Sequence, residues 1–173
     1  MSKITELDKT LIWEIPIVKR GGNKQSGSRV GERFLTISLT KKNEEKKIKW
    51  DNVYLKFNQD VLNKYFPPNL EGFKVGFSFD EIGKRLIIVF NPTKGIPFYN
   101  LSKSGSTRLI YNTILIQKIY NFLGLNTDID KYHLKIHYFA KINGNELYCL
   151  TPYDYQTITP LWEDEINGKL DFN

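Results

Sequence analysis

Two stretches of this chain repeat each other without a gap. Leu55, Phe57, Asn58, Val61, Leu62, Tyr65 and Phe66 are matched in type, 54 residues later, by Leu109, Tyr111, Asn112, Leu115, Ile116, Ile119 and Tyr120. Each stretch reads as the end of a strand, an asparagine suited to start a helix, and an apolar helical stripe. The match extends on both sides. Leu39 to Lys41 pair with Leu101 to Lys103 at an offset of 62, the charged stretch KKNEEKK intervening in the first copy; Phe73, Val75, Phe77 and Phe79 pair with Tyr132, Leu134, Ile136 and Tyr138; Leu86–Val89 pair with Leu147–Leu150. A repeat of this length means one supersecondary unit copied in tandem. The expected architecture is α+β: two pseudo-symmetric ββαββ units, residues 34–90 and 97–152, packed as one barrel-like domain. An N-terminal arm with a basic, Gly-rich loop (1–33) precedes them and an acidic tail (153–173) follows.

Local patterns fill in the units. RFLTISLT and FKVGFSFD alternate with a period near two, as half-buried strands do. RLIIVF reads as a strand buried on both faces, and KYHLKIHYFAKI followed by Asn143-Gly144 and ELYCL as a hairpin. Gly124 ends the second helix, and Pro67 and Pro68 end the first. LIWEIPIVKR, Leu11 to Arg20, is β-leaning with Pro16 inside it, the signature of an edge strand or extended arm.

The bulk properties exclude some classes. With 173 residues, 40% hydrophobic and 14% aromatic, the chain has enough apolar side chains for a core. No apolar run reaches membrane-spanning length, and MSKITELDKTLIWE lacks the layout of a signal peptide, so a cytoplasmic protein with no membrane contact is expected. The single Cys149 lies in the apolar run LYCL and reads as a small hydrophobe. His133 and His137, four apart on a strand, lie too far from each other for one metal ion, so they read as surface residues, or as pH-sensitive ones if a partner covers them, and no metal site or cofactor is expected. No Gly-rich phosphate loop, GxSxG elbow or HExxH occurs; GGNKQSGS lacks the GKS or GKT ending and the strand-to-helix setting. The reading is non-enzymatic.

Charge points toward a polyanion. The net charge is +6 and the pI about 9.2, and Lys19 to Lys49 contains ten Lys and Arg against three Glu. Lys41, Lys42, Lys46, Lys47 and Lys49 belong to the first hairpin; Lys103 and Arg108 belong to its counterpart. All of these are expected at hairpin ends on one side of the barrel, with Arg29 and Arg33 reaching along a backbone or into a minor groove. Nucleic acid, DNA ahead of RNA, is the expected partner, and these nine residues are its candidate contacts. The same lysines also suit merely solvated loops. Trp13, Trp50 and Tyr54 are the aromatics best placed for exposure, with core packing the alternative. A second function class is a protein-binding inhibitor or adaptor, in which LIWEIPIV adds a strand to a partner's sheet or the tail PLWEDEINGKLDFN meets a basic surface.

The second unit resembles the swapped-hairpin domain of AbrB-type DNA-binding regulators and MazE-type antitoxins. The resemblance rests on a strand, a turn with Gly105, the strand Arg108–Tyr111, a short helix ending Leu123-Gly124-Leu125, and a closing hairpin from Leu134 to Leu150. It implies a barrel of two interlocked units, here within one chain as in MraZ-type proteins, that is, a single-chain pseudo-dimer with a regulatory role. The family motif has Arg directly after the turn glycine and Pro before the helix; here Ser106 and Asn112 stand there, and the first unit has no turn glycine. The family's basic contact therefore carries over only to Lys103 and Arg108, with Lys41 and Lys42 as counterparts.

Overall fold

The asparagines at the starts of both helices act as the sequence requires. Asn58 Oδ1 accepts from the Val61 N–H at 3.0 Å, and Asn112 Oδ1 accepts from the Leu115 N–H at 2.9 Å. Each bond satisfies a donor that the first helical turn leaves without an intrahelical partner. The computed structural model describes residues 11, 13, 14, 34–41, 48–67 and 72–162. In chain order its elements are β1 (Phe34–Lys41), β2 (Ile48–Phe57), α1 (Gln59–Tyr65), β3 (Lys74–Asp80), β4 (Arg85–Phe90), β5 (Tyr99–Asn100), β6 (Ser102–Ser104), β7 (Thr107–Ile110), α2 (Thr113–Leu123), β8 (Lys131–Ile142) and β9 (Asn145–Asp154). Gly124 closes α2 in the left-handed conformation, φ 66°, which a side chain would oppose.

The strands form one antiparallel sheet in the order β5-β3-β4-β9-β8-β1-β2-β7-β6. β5 and β6 stand at its two edges, yet only Leu101 separates them in the chain. The sheet therefore curls into a nearly closed, barrel-like shape, which leaves little free edge. Inside lie Leu35, Ile37, Leu55, Phe57, Val75, Phe77, Leu86, Ile88, Leu134 and Ile136, with Val61 and Leu62 of α1 and the stripe Leu115, Ile116, Ile119, Tyr120 and Leu123 of α2. Trp50 packs edge-on to Tyr120 with centroids 5.4 Å apart, so it serves the core rather than solvent.

The residues matched in the sequence occupy like positions in some elements and unlike positions in others. Both caps and both helix stripes agree, and Phe73, Val75 and Phe77 face the core as Tyr132, Leu134 and Ile136 do. In β2 and β7 the ungapped match fails. Leu55 and Phe57 point inward, but Leu109 stands opposite Lys56, and Tyr111 packs edge-on to Tyr54 with centroids 5.8 Å apart. Ile110 is the inward residue, opposite Leu55. In the second half one extra residue, Tyr111, separates the strand from its cap, and a shift of one residue exchanges the faces of a strand. The same slip separates Leu86, which faces inward, from Leu147, which faces outward.

A second apolar cluster lies on the outside of β4, β9 and the end of β8: Ile87, Val89, Ile142, Leu147 and Cys149. Burial there pushes the Cys149 thiol up to about 12, consistent with a packing role. Leu11 and Trp13 cover this cluster. Trp13 forms an antiparallel bridge with Ser78 of β3, and the Glu14 N–H donates to the Phe77 carbonyl. This part of the arm thus extends its own sheet, where the sequence left it available to a partner. The flanking residues 15–33 and the tail from residue 163 lie outside the described residues.

Candidate nucleic-acid interface

Of the nine cations expected to contact nucleic acid, four lie among the described residues, and those four do not come together. Arg29, Arg33, Lys42, Lys46 and Lys47 lie outside the described residues. The backbones of Lys41 and Lys49 end the β1–β2 ladder, Lys41 opposite Ile48 and Lys49 opposite Thr40. Lys103 is exposed on β6, opposite Arg108 of β7. Arg108 is only 9% exposed, and its Nη1 donates to the Thr107 carbonyl at 3.1 Å. It shares the inward register of Ile110, two residues on, so the side chain is drawn toward the barrel end and away from solvent. The turn-side ends of β2 and β7 also lie at opposite ends of their ladder, because Phe57, at the end of β2 far from Ile48, is the residue opposite Arg108. At about 3.3 Å per residue, Ile48 and Thr107 lie roughly 30 Å apart along the strands, not together at one side.

A different set of cations converges on the outer face of β2, β1, β8 and β9. The register places Lys56, Thr36, His133 and Tyr153 in one row across the four strands, with Phe34, Lys135 and Thr151 in the next row, and Lys131 on the other flank opposite Ser38. Lys131, His133, Lys135 and His137 are the alternate, outward residues of β8. Among the outward side chains described on these strands none is a carboxylate. Asp154, which follows Tyr153 at the end of β9, is occupied: it accepts from the N–H groups of Gln156 and Thr157 at 3.0 and 2.8 Å and from the Thr157 hydroxyl at 2.9 Å. These bonds hold its carboxyl below the usual carboxylate range.

Aromatic rings build the surface around the lysines. The Tyr155 ring stacks on His133 with centroids 4.6 Å apart and planes 25° apart, and Phe34 meets both His133 and Tyr153 edge-on. Lys131 Nζ lies 5.4 Å from the Tyr155 centroid, and Lys135 Nζ lies 5.3 Å from that of Tyr153 while donating to its hydroxyl at 3.1 Å. Such contacts hold long cationic side chains over the sheet without neutralising them. Lys56 is 8% exposed, and its pKa is lowered by burial first and by the charge of Lys131 second. The charges of Lys56 and Lys131 therefore act on one another across this face.

His133 is a correction to the surface role read from the sequence. It is 1% exposed, between Tyr155 and Phe34, with Nδ1 3.2 Å from the Thr36 hydroxyl. Burial lowers its pKa from 6.5, opposed by a hydrogen bond with the Tyr155 backbone and by the Asp154 charge, so it is neutral at pH 7. His137 Nε2 lies 2.9 Å from the Thr151 hydroxyl. Tyr54 is likewise buried rather than exposed. The signal for this face was present in KYHLKIH, in which the alternate residues Lys131, His133, Lys135 and His137 are all Lys or His. The covering Tyr155 comes from a turn, and no strand pattern announces it.

Among the described residues no group of three or more His, Cys, Asp and Glu is placed to hold a metal ion, and no helix is long and apolar enough to cross a membrane. In comparisons with known proteins, no family model, no curated protein and no solved structure matches the chain.

Proposed function

We propose that this chain is a non-enzymatic nucleic-acid-binding protein, DNA ahead of RNA, that contacts phosphates through cations held on a sheet surface. The observation that carries this reading is the outer face of β2-β1-β8-β9, with Lys56, Lys131 and Lys135 among tyrosines and no carboxylate among its described outward side chains. Lys131 and Lys135 are the principal phosphate contacts, and exposed Lys103 adds a contact at one barrel end. Tyrosines beside them suit sugar and base surfaces, as on other strand-built platforms.

In this reading the barrel is a single-chain pseudo-dimer of two ββαββ units. Its support is topological. Exchanging β1 with the β5–β6 strand, β2 with β7, β3 with β8 and β4 with β9 leaves every neighbour relation in the sheet unchanged. The hairpins also alternate between the halves around the barrel, as the swapped-hairpin resemblance implies. Fold similarity alone does not supply function, so the cationic face bears the weight.

The test is binding of fluorescent duplex DNA, single-stranded DNA and RNA over a salt series. The expected result is affinity that falls steeply with salt and is strongest for DNA. Salt-insensitive association with one protein, and no retention on DNA, would instead support the adaptor reading and overturn this one.

A further inference from the structure

The seat of the N-terminal arm is a complete strand-acceptor site. β5 pairs with β3 only at Lys74 and Val75, so the β3 edge from Phe77 onward is left for another strand. Trp13 bridges Ser78 there, and the Glu14 N–H donates to the Phe77 carbonyl at 2.6 Å. Beside the edge, Leu11 packs into the outer cluster of Ile87, Val89, Leu147 and Cys149. At the far end the Glu14 carboxylate, in a residue 8% exposed, meets Lys118 Nζ of α2 at 2.7 Å. Edge, apolar floor and cation together read an extended segment: a leucine, an aromatic two residues on, then a carboxylate. Main-chain pairing with alternate side chains in pockets is the chemistry of β-strand addition.

We infer that this groove also accepts residues 11–14 of a second copy of the chain, so that two molecules exchange arms. An exchanged arm makes the same contacts as the arm in its own groove, so connection and protein concentration, not contact chemistry, set the balance between the two states. The chain from Glu14 to Phe34 has a contour length of up to about 66 Å at 3.3 Å per residue, enough to reach a neighbouring barrel. The segment that fits is carried by every copy, and the Glu14–Lys118 ion pair gives the docking a polarity.

The experiment uses full-length chains. A Leu11→Asp/Trp13→Ala chain vacates the groove, and a labelled peptide of residues Lys9–Pro16 is expected to bind it saturably, about tenfold or more tighter than it binds the unaltered chain, whose own arm competes. Light scattering of the unaltered chain over a concentration series is expected to show a dimer that the double variant does not form. If circular dichroism shows that the double variant does not fold, a charge exchange decides instead. Lys118→Glu, at a half-exposed side chain, and Glu14→Lys chains should each dimerise weakly alone and pair when mixed. No peptide binding to a folded, vacated groove, a dimer indifferent to the arm, or no preferential pairing of the charge-exchanged chains would overturn the inference.

Discussion

Changing Lys131 and Lys135 to Gln together tests the proposed interface quantitatively. Gln keeps most of each stem over Tyr155 and Tyr153 but removes two charges. Each phosphate neutralised on duplex DNA contributes about 0.9 to the slope of log K against log salt, so the double variant should lose about 1.8 from that slope. Extrapolated from 1 M salt, the affinity loss is about 200-fold at 50 mM and about 20-fold at 200 mM, so the ratio of unaltered to variant affinity changes about twelvefold across that range. That last figure is the more discriminating, because a loss caused by misfolding lowers affinity by a similar factor at all salt concentrations. Fluorescence anisotropy at four or more salt concentrations measures the slope, and thermal melting checks the fold; exposed or half-exposed charges of this kind contribute about 1 kcal/mol or less to stability. An unchanged slope with reduced affinity would refute the phosphate contacts, and unchanged affinity would remove the face from the interface altogether.

Further expectations concern the frame. Because burial depresses the His133 pKa below 6.5, the unfolded chain binds a proton that the folded chain resists; the urea midpoint should hold at neutral pH and fall as pH drops through and below 6.5, and His133→Gln should flatten that dependence. Asn112→Ala removes the cap on Leu115 and should cost about 1 kcal/mol, seen in a thermal melt as a drop of about 2–4 °C. The Ser78 hydroxyl is fully buried with no hydrogen-bond partner among the described residues, so Ser78→Ala should leave the chain as stable or raise its unfolding free energy by about 1 kcal/mol in a urea titration; a clear loss would mean that the hydroxyl is satisfied.

What was legible in the sequence is what depends on neighbours along the chain. Asn58, Asn112 and Gly124 announced both helices, and Asn143-Gly144, with φ 51° and 81°, announced the β8–β9 turn. Alternation identified the strands and, in β3 and β8, the inward face. What escaped depends on contacts between distant segments. Alternation along Lys131–His137 shows which residues share a face but not that Tyr155 covers one of them, and so His133 read as exposed. Arg108 read as a hairpin-end contact because its proximity to a turn was visible while its inward register, set by β2, was not. The repeat hid its slip for a related reason: matching residue types are blind to the one-residue shift that exchanges the faces of a strand.

The alternation of hairpins around the barrel has a consequence for biosynthesis. When Phe90 has left the ribosome, β1, β2 and β4 all lack neighbours that are still to be made, namely β8, β7 and β9. Folding cannot proceed half by half as translation advances; the barrel must close late, around strands already waiting. By the same geometry, a protease cut in the connection at residues 91–98 would sever the chain yet leave two fragments clasped through four separate strand ladders.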